Sequence, residues 1–250
     1  MNSIIAGLGN VPMGQGTLAA DGGVDFMVHG VFSYQLFGQT VWITTTHVCL
    51  LIVMLILIGF MIAVNRRMKK AEEIPHGLQN VAELMVEALD NMVGTNMDKY
   101  APKFRNYIGT IFMFILFSNI SGLLGLRPPT ADYGVTFPLG VMTFVLIQFN
   151  NFKYNKPNGV LKGLCDPWPI WLPINLIGEV AVPISLSLRL FANVLSGTVM
   201  MALVYGLLGV IATGWPAILH VYFDLFSGAI QTYVFCMLTM TYIRDKIGDN

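Results

Sequence analysis

The sequence predicts an all-α integral membrane protein, with about five transmembrane helices and a cytoplasmic amphipathic helix, the last two membrane helices forming a long tilted hairpin. Three observations carry that expectation. Hydrophobic residues make up 55% of the 250 and charged residues 11%, with a mean hydropathy of +0.65, too few charges to coat a soluble globule of this size. Apolar stretches recur near 43–64, 108–126, 135–150, 168–213 and 216–245, mostly close to the roughly 20 residues that one crossing needs. The formal net charge of zero hides a one-sided distribution of cations.

Of the fourteen Lys and Arg, Arg66, Arg67, Lys69, Lys70, Lys99, Lys103, Arg105, Lys153, Lys156, Lys162, Arg244 and Lys246 fall on one side of the five crossings. Arg127 falls on the other side and Arg189 inside the membrane. The positive-inside rule therefore places the amino end outside and the carboxyl end in the cytoplasm.

Taken in order, residues 1–40 mix Gly, polar residues and a few aromatics and are expected to form a loose external segment ahead of a single membrane domain at 41–250. "GLGNVPMGQG" at 7–16 looks superficially like a phosphate loop, but no strand pattern precedes it and no helix pattern follows. The first 65 residues hold no Lys or Arg for the charged region of a signal peptide, so the crossing at 43–64 is expected to act as the targeting signal.

Near 78–94, Val81, Leu84, Met85, Ala88, Leu89 and Met92 recur at helical spacing, with Glu83, Glu87 and Asp90 on the other sides. This predicts a helix lying flat. Its acidic polar face argues for a protein-covered surface rather than anionic lipid, an ordinary connecting helix being the plainer alternative. The run at 135–150 is short for a crossing. The stretch 168–213 would measure roughly 67 Å as one helix, so it is expected either to break near Pro173 or Pro183 or to tilt strongly. "TGWP" at 213–216 then turns the chain into its last helix. Cys49, Cys165 and Cys236 have no metal or redox spacing and read as packing residues.

Within the last two apolar stretches the ionisable groups are Glu179, Arg189, His220 and Asp224, joined by Asn175, Asn193 and Gln231. Such groups mark ion pathways, although a buried pair can also simply pin two helices. Glu179 precedes Arg189 by ten residues, about 15 Å of rise, so the two cannot pair along one straight helix. Arg189 has Ser185 and Asn193 one turn to either side. His220, Asp224, Ser227 and Gln231 form one polar stripe at steps of four, three and four. Asp224 could pair with Arg189 across the hairpin, depending on its register. With the predicted orientation, Glu179 approaches the arginine from the cytoplasm and Asp224 from outside. This suggests two half-length aqueous paths with a fixed cation between them.

"PINLIGEVAVPISLSLRLFANVLSG" at 173–197, with "GAIQTYVFCMLTMTYI" at 228–243 and "FSNISGLLGLRPPTAD" at 117–132, resembles subunit a of the F-type ATP synthase membrane sector, over roughly residues 40–245. The resemblance implies that Arg189 faces the ion-binding carboxylate of a rotating ring of c subunits, with Gln231 near the arginine and Asn193 closing the block. It implies a long tilted hairpin that hugs the ring, and as partners the c-ring, peripheral stalk subunit b, the lipid bilayer and, indirectly, the soluble ATPase head. Ala192 stands where glycine is commoner in that family, Thr198 where some members are acidic, and Asp224 where histidine or glutamate is frequent. The outer path is therefore expected to rest on Asp224, helped by His220.

The ion implied is a proton or sodium, in a bacterial cytoplasmic membrane. The chain is expected to conduct ions rather than to catalyse by itself, with no cofactor, no metal and no nucleic acid. A secondary transporter is the alternative, but no second copy of the polar hairpin is present. An intramembrane hydrolase would need a nucleophile or metal set that His220 and Asp224 do not complete.

Overall fold

The computed structural model describes residues 30–36, 39–69, 77–124, 126–165, 168–208 and 215–248. The glycine-rich stretch at 7–16 and most of the predicted external segment lie outside the described residues.

Two antiparallel strands come first, β1 (Gly30–Leu36) and β2 (Gln39–Thr44), with Tyr34 opposite Val41. The sequence reading had no strands here. The segments "GVFSYQL" and "QTVWIT" are rich in the aromatic and β-branched residues that suit a pleated ribbon, and that local preference forms the hairpin.

Among the described residues seven α-helices follow: α1 (Thr45–Met68), α2 (Leu78–Met97), α3 (Ala101–Ile120), α4 (Tyr133–Cys165), α5 (Leu172–Leu208), α6 (Trp215–His220) and α7 (Gly228–Ile247), with a π-helical segment, Val221–Ser227, joining α6 to α7. Among the described residues five stretches are long and apolar enough to cross a membrane, in agreement with the predicted all-α membrane fold: Thr45–Met68, Gln79–Leu124, Tyr133–Asn155, Leu172–Leu207 and Ile218–Ile247.

α1 exposes Leu51, Leu55, Ile58 and Ile62, as a helix bathed in lipid would, and touches α3 through Phe60 and Phe117, whose rings lie 5.5 Å apart. The core lies between α3, α4, α5 and α7. There Ile108, Ile115, Leu186, Leu190, Phe235, Met240 and Ile243 are almost completely buried.

α4 is twice as long as the apolar run at 135–150. That run stopped at polar residues, yet Asn150 and Asn151 are buried inside the bundle, so polarity marked the inner face of the helix and not its end. α4 and α5 approach closely at Gly140, where a Cβ would stand 2.7 Å from the Pro183 carbonyl oxygen. α5 runs unbroken through Pro183 for 37 residues, roughly 55 Å, so of the two expected solutions to its length the break is the one not used.

α2 packs through Ala82, Val93 and Met97, while Val81, Leu84 and Ala88 from the predicted apolar stripe are exposed. The helix has apolar residues on more than one face, and α1, α3 and α7 cover only one of them. The polar end of that contact is an ion pair between Asp90 and Arg105 at 2.8 Å.

Candidate functional site

α5 and α7 run antiparallel. Two ties fix their register: Ser227 Oγ donates to Asn193 Oδ1 at 3.1 Å, and far along both helices Lys246 forms an ion pair with Glu179. One turn from the first tie, Arg189 is level with Gln231. Asp224 is level with Ser196 and Gly197, a Cβ on Gly197 coming 3.5 Å from that of Phe223. The Asp224 level is thus roughly 11 Å from that of Arg189 along the axis, and Glu179 lies roughly 15 Å away on the other side.

Arg189 is exposed on the outer face of α5 and has no hydrogen bond or ion pair among the described residues. Gly178, Ala181, Ser185, Ala192 and Ser196 share its stripe at steps of three and four, all of them exposed. Apart from the arginine, nothing on that stripe is larger than serine. The buried Leu186, Ser187 and Leu190 turn the remaining side of α5 inward. Gln231 is 8% exposed and its Nε2 has no hydrogen-bond partner among the described residues.

Asp224 does not pair with Arg189. Its Oδ2 is 2.9 Å from His220 Nδ1, one turn back. It lies in the π-helical segment, a widened turn that recurs at functional positions and that the spacing of the polar stripe did not reveal. A small cleft beside it is lined by Asn119, Asn193, Gly197 and Gly228. Gly122 closes over the carboxylate, a Cβ there falling 3.0 Å from Asp224 Cγ.

Asn119, absent from the predicted set, holds this end together. Its Nδ2 donates to the Gly228 carbonyl at 3.1 Å, and its Oδ1 accepts from Thr130 Oγ1 at 2.8 Å. Asn119 and Thr130 are both buried. A Cβ on Gly228 would come 2.8 Å from that of Asn119, so α3 and α7 touch nearly backbone to backbone here.

At the other end, where the Lys and Arg residues gather, a cavity of about 750 Å³ opens between α4, α5 and α7, lined by Asn151, Asn155, Asn175, Glu179, Asp245 and Lys246. Gln148 Nε2 donates to Glu179 Oε2 while Lys246 Nζ meets Oε1. Sequence reasoning named Glu179 but not its two partners. Lys246 entered it only as one charge of the cytoplasmic count, and Gln148 sat unremarked near the end of an apolar run.

The structure thus brings the predicted polar residues into three groups: Glu179 at one end, Arg189 with Ser185 and Gln231 at mid-helix, and Asn193, His220 and Asp224 towards the other end. A five-crossing helical protein with an exposed guanidinium, unpartnered among the described residues, between two polar recesses has the make-up of an ion-pathway subunit. The description of the ATP synthase A chain family matches residues 47–244, and the chain belongs to that family. It is 39% identical over 197 residues to the "ATP synthase subunit a, sodium ion specific" of Propionigenium modestum, covering 72% of this chain and 67% of that one. It is 34% identical over 237 residues to ATP synthase subunit a of Anoxybacillus flavithermus, covering 89% and 99%, and 32% identical over 233 residues to that of Limosilactobacillus reuteri, covering 87% and 97%. The chain is an ion-translocating stator component of the membrane sector of an F-type ATP synthase.

Proposed function

We propose that the chain provides two half-channels for a proton or sodium ion to a ring of c subunits, with Arg189 separating them. The observation that carries this reading is the exposed arginine, free of partners among the described residues, on a stripe of small side chains. A guanidinium facing lipid costs about 2.5–3.5 kcal/mol on insertion scales and cannot shed its proton. A neighbouring helix must therefore cover it, and small residues let that helix come close. A ring carboxylate arriving opposite Arg189 is favoured in its ionised form, so its bound cation leaves. The bare carboxylate cannot re-enter lipid until it reloads from the other recess. Each elementary charge that crosses 100 mV contributes about 2.3 kcal/mol, which biases rotation.

In this reading Asp224, with His220, serves the outer recess, and Glu179 serves the cavity at the basic end. Asn193 and Ser227 hold the register, and Ser185 and Gln231 flank the arginine. The basic end faces the cytoplasm of a bacterial cell, with the amino end outside. The partners are the c-ring, peripheral stalk subunit b and, through them, the soluble ATPase head, where the catalysis takes place.

The test is coupled transport in sealed vesicles that hold the whole complex. Arg189→Lys is expected to abolish coupled ATP synthesis although it keeps a cation, because a lysine can release its proton in so dry a place. Arg189→Ala is expected to open a passive leak as well. Coupled synthesis at the wild-type rate in the lysine variant refutes the gate. Uptake of labelled sodium that persists with a protonophore assigns sodium, and acidification that collapses with it assigns protons.

A further inference from the structure

At the basic end the Glu179 carboxylate already holds a cation. Lys246 Nζ sits on Oε1, and Gln148 donates to Oε2. The Glu179 side chain is 14% exposed and that of Lys246 34%, and both residues line the cavity. A cation that binds the Glu179 carboxylate must displace the ammonium that already sits on it. Asp245 and Tyr242 also line the cavity.

An ion pair of this kind can serve merely to tie two helices. Here the end of α7 is also held by contacts to other helices that do not use the ammonium. Asn155 Nδ2 donates to the Lys246 carbonyl at 2.6 Å and to Asn151 Oδ1 at 2.9 Å, anchoring the end of α7 to α4. Arg244 donates to the Asn96 carbonyl at 3.1 Å and lies 3.5 Å from the Asp98 carboxylate, anchoring the same turn to the end of α2 and the turn that follows it. With the backbone held on two sides, releasing the ammonium from Glu179 leaves the end of α7 anchored. Lys246 also lies beyond the residues matched by the family description.

We propose that Lys246 is a tethered cation that occupies the Glu179 position and swings aside for each ion that passes, so that it sets how readily this cavity loads from the cytoplasm. The inference rests on the reading of the cavity as one of the two half-channels. The chemical class it concerns is a monovalent cation, which competes with the ammonium for one carboxylate.

The experiment uses the whole complex in vesicles with the ATPase head outward. ATP-driven uptake is measured against medium sodium and, separately, medium proton concentration. In Lys246→Gln the half-saturating concentration of the transported ion is expected to fall about tenfold or more, the scale on which a neighbouring opposite charge shifts a carboxylate's cation equilibrium. Lys246→Arg restores the wild-type value, and the double variant Lys246→Gln with Glu179→Gln loses the gain. Lys153→Gln, which removes an exposed cation elsewhere on α4, is the control for surface potential and is expected to change nothing.

An unchanged half-saturation in Lys246→Gln at normal complex content overturns the proposal, as does an equal shift in Lys153→Gln. Loss of assembled complex in both Lys246→Gln and Lys246→Met overturns it too, since the ammonium is then a structural pin. A wild-type complex that moves no ion while its ATPase turns would count against the half-channel reading itself.

Discussion

The same substitution at two glycines separates packing from transport. At Gly140 a new methyl meets backbone, 2.7 Å from the Pro183 carbonyl and 3.2 Å from Ser187 Cβ. Neither α4 nor α5 can move there without shifting the helix. Overpacking of this kind costs about 1–3 kcal/mol, offset by the ~1 kcal/mol of helix propensity that alanine gains over glycine. Gly140→Ala should therefore destabilise by about 0–2 kcal/mol and leave transport per assembled complex unchanged. At Gly122 the nearest atoms to the methyl are those of the Asp224 carboxylate, at 3.0 Å from Cγ and 3.2 and 3.3 Å from the two oxygens. A side chain can rotate away, at about 0.5–1.5 kcal/mol for leaving its rotamer. That rotation also disturbs the 2.9 Å contact with His220. If Asp224 loads the ring, the same free energy appears in the rate, about two- to tenfold. The assay is ATP-driven ion uptake per complex, alongside the thermal inactivation midpoint of each variant in detergent. Wild-type uptake per complex in Gly122→Ala, or a loss that merely tracks its stability, refutes the placing of Asp224 on the ion path.

Two further outcomes follow from the same end of the bundle. Asp224→Asn keeps the size of the side chain and removes its charge. Ion uptake should slow while assembly stays normal, and unchanged pumping rates in purified complex would remove Asp224 from the path. Asn119→Ala removes the clamp between α3 and α7 and leaves the Thr130 hydroxyl, 0% exposed, without its partner. Interhelical hydrogen bonds in membranes average about 0.6 kcal/mol and an unsatisfied buried hydroxyl costs about 1–3 kcal/mol. Resistance to dissociation by detergent should fall by about 1–3 kcal/mol, and an unchanged midpoint would show that the clamp carries no stability.

The crossings were legible because lipid imposes one requirement on all of them, an apolar length of helix. What escaped sequence reading is what depends on neighbours. The end of α4 was misplaced because Asn150 and Asn151 look like loop residues until the bundle that buries them is known. The predicted stripe of α2 was only partly right, since Val81 and Leu84 are as apolar as Ala82 and only the arrangement of α1, α3 and α7 decides which face they cover. Arg189 stood out because an arginine among apolar residues needs a reason wherever it occurs. Lys246 did not, because a lysine near a cytoplasmic helix end is ordinary until its ammonium is found on Glu179. Asn119 and Thr130 are eleven residues apart and far from Gly228 in sequence, so only the fold joins them.

The three groups of polar residues differ in how they are satisfied, and that difference fits the proposed transport cycle. Asp224 is shared with His220, and Glu179 is held by Gln148 and Lys246, so both ends keep their carboxylates partnered within the chain. Mid-helix the opposite holds: Arg189 is exposed without a partner and Gln231 keeps a buried amide nitrogen unbonded, among the described residues. A structure selected only for its own stability would satisfy the middle first, where water is scarcest and an unmet polar group costs most. The unmet groups instead lie level with one another beside a stripe of small side chains, where another helix can supply what they lack. On the proposed reading the open Arg189 supplies binding energy to a carboxylate-bearing partner, and it does so at the level where a passing carboxylate has to give up its ion.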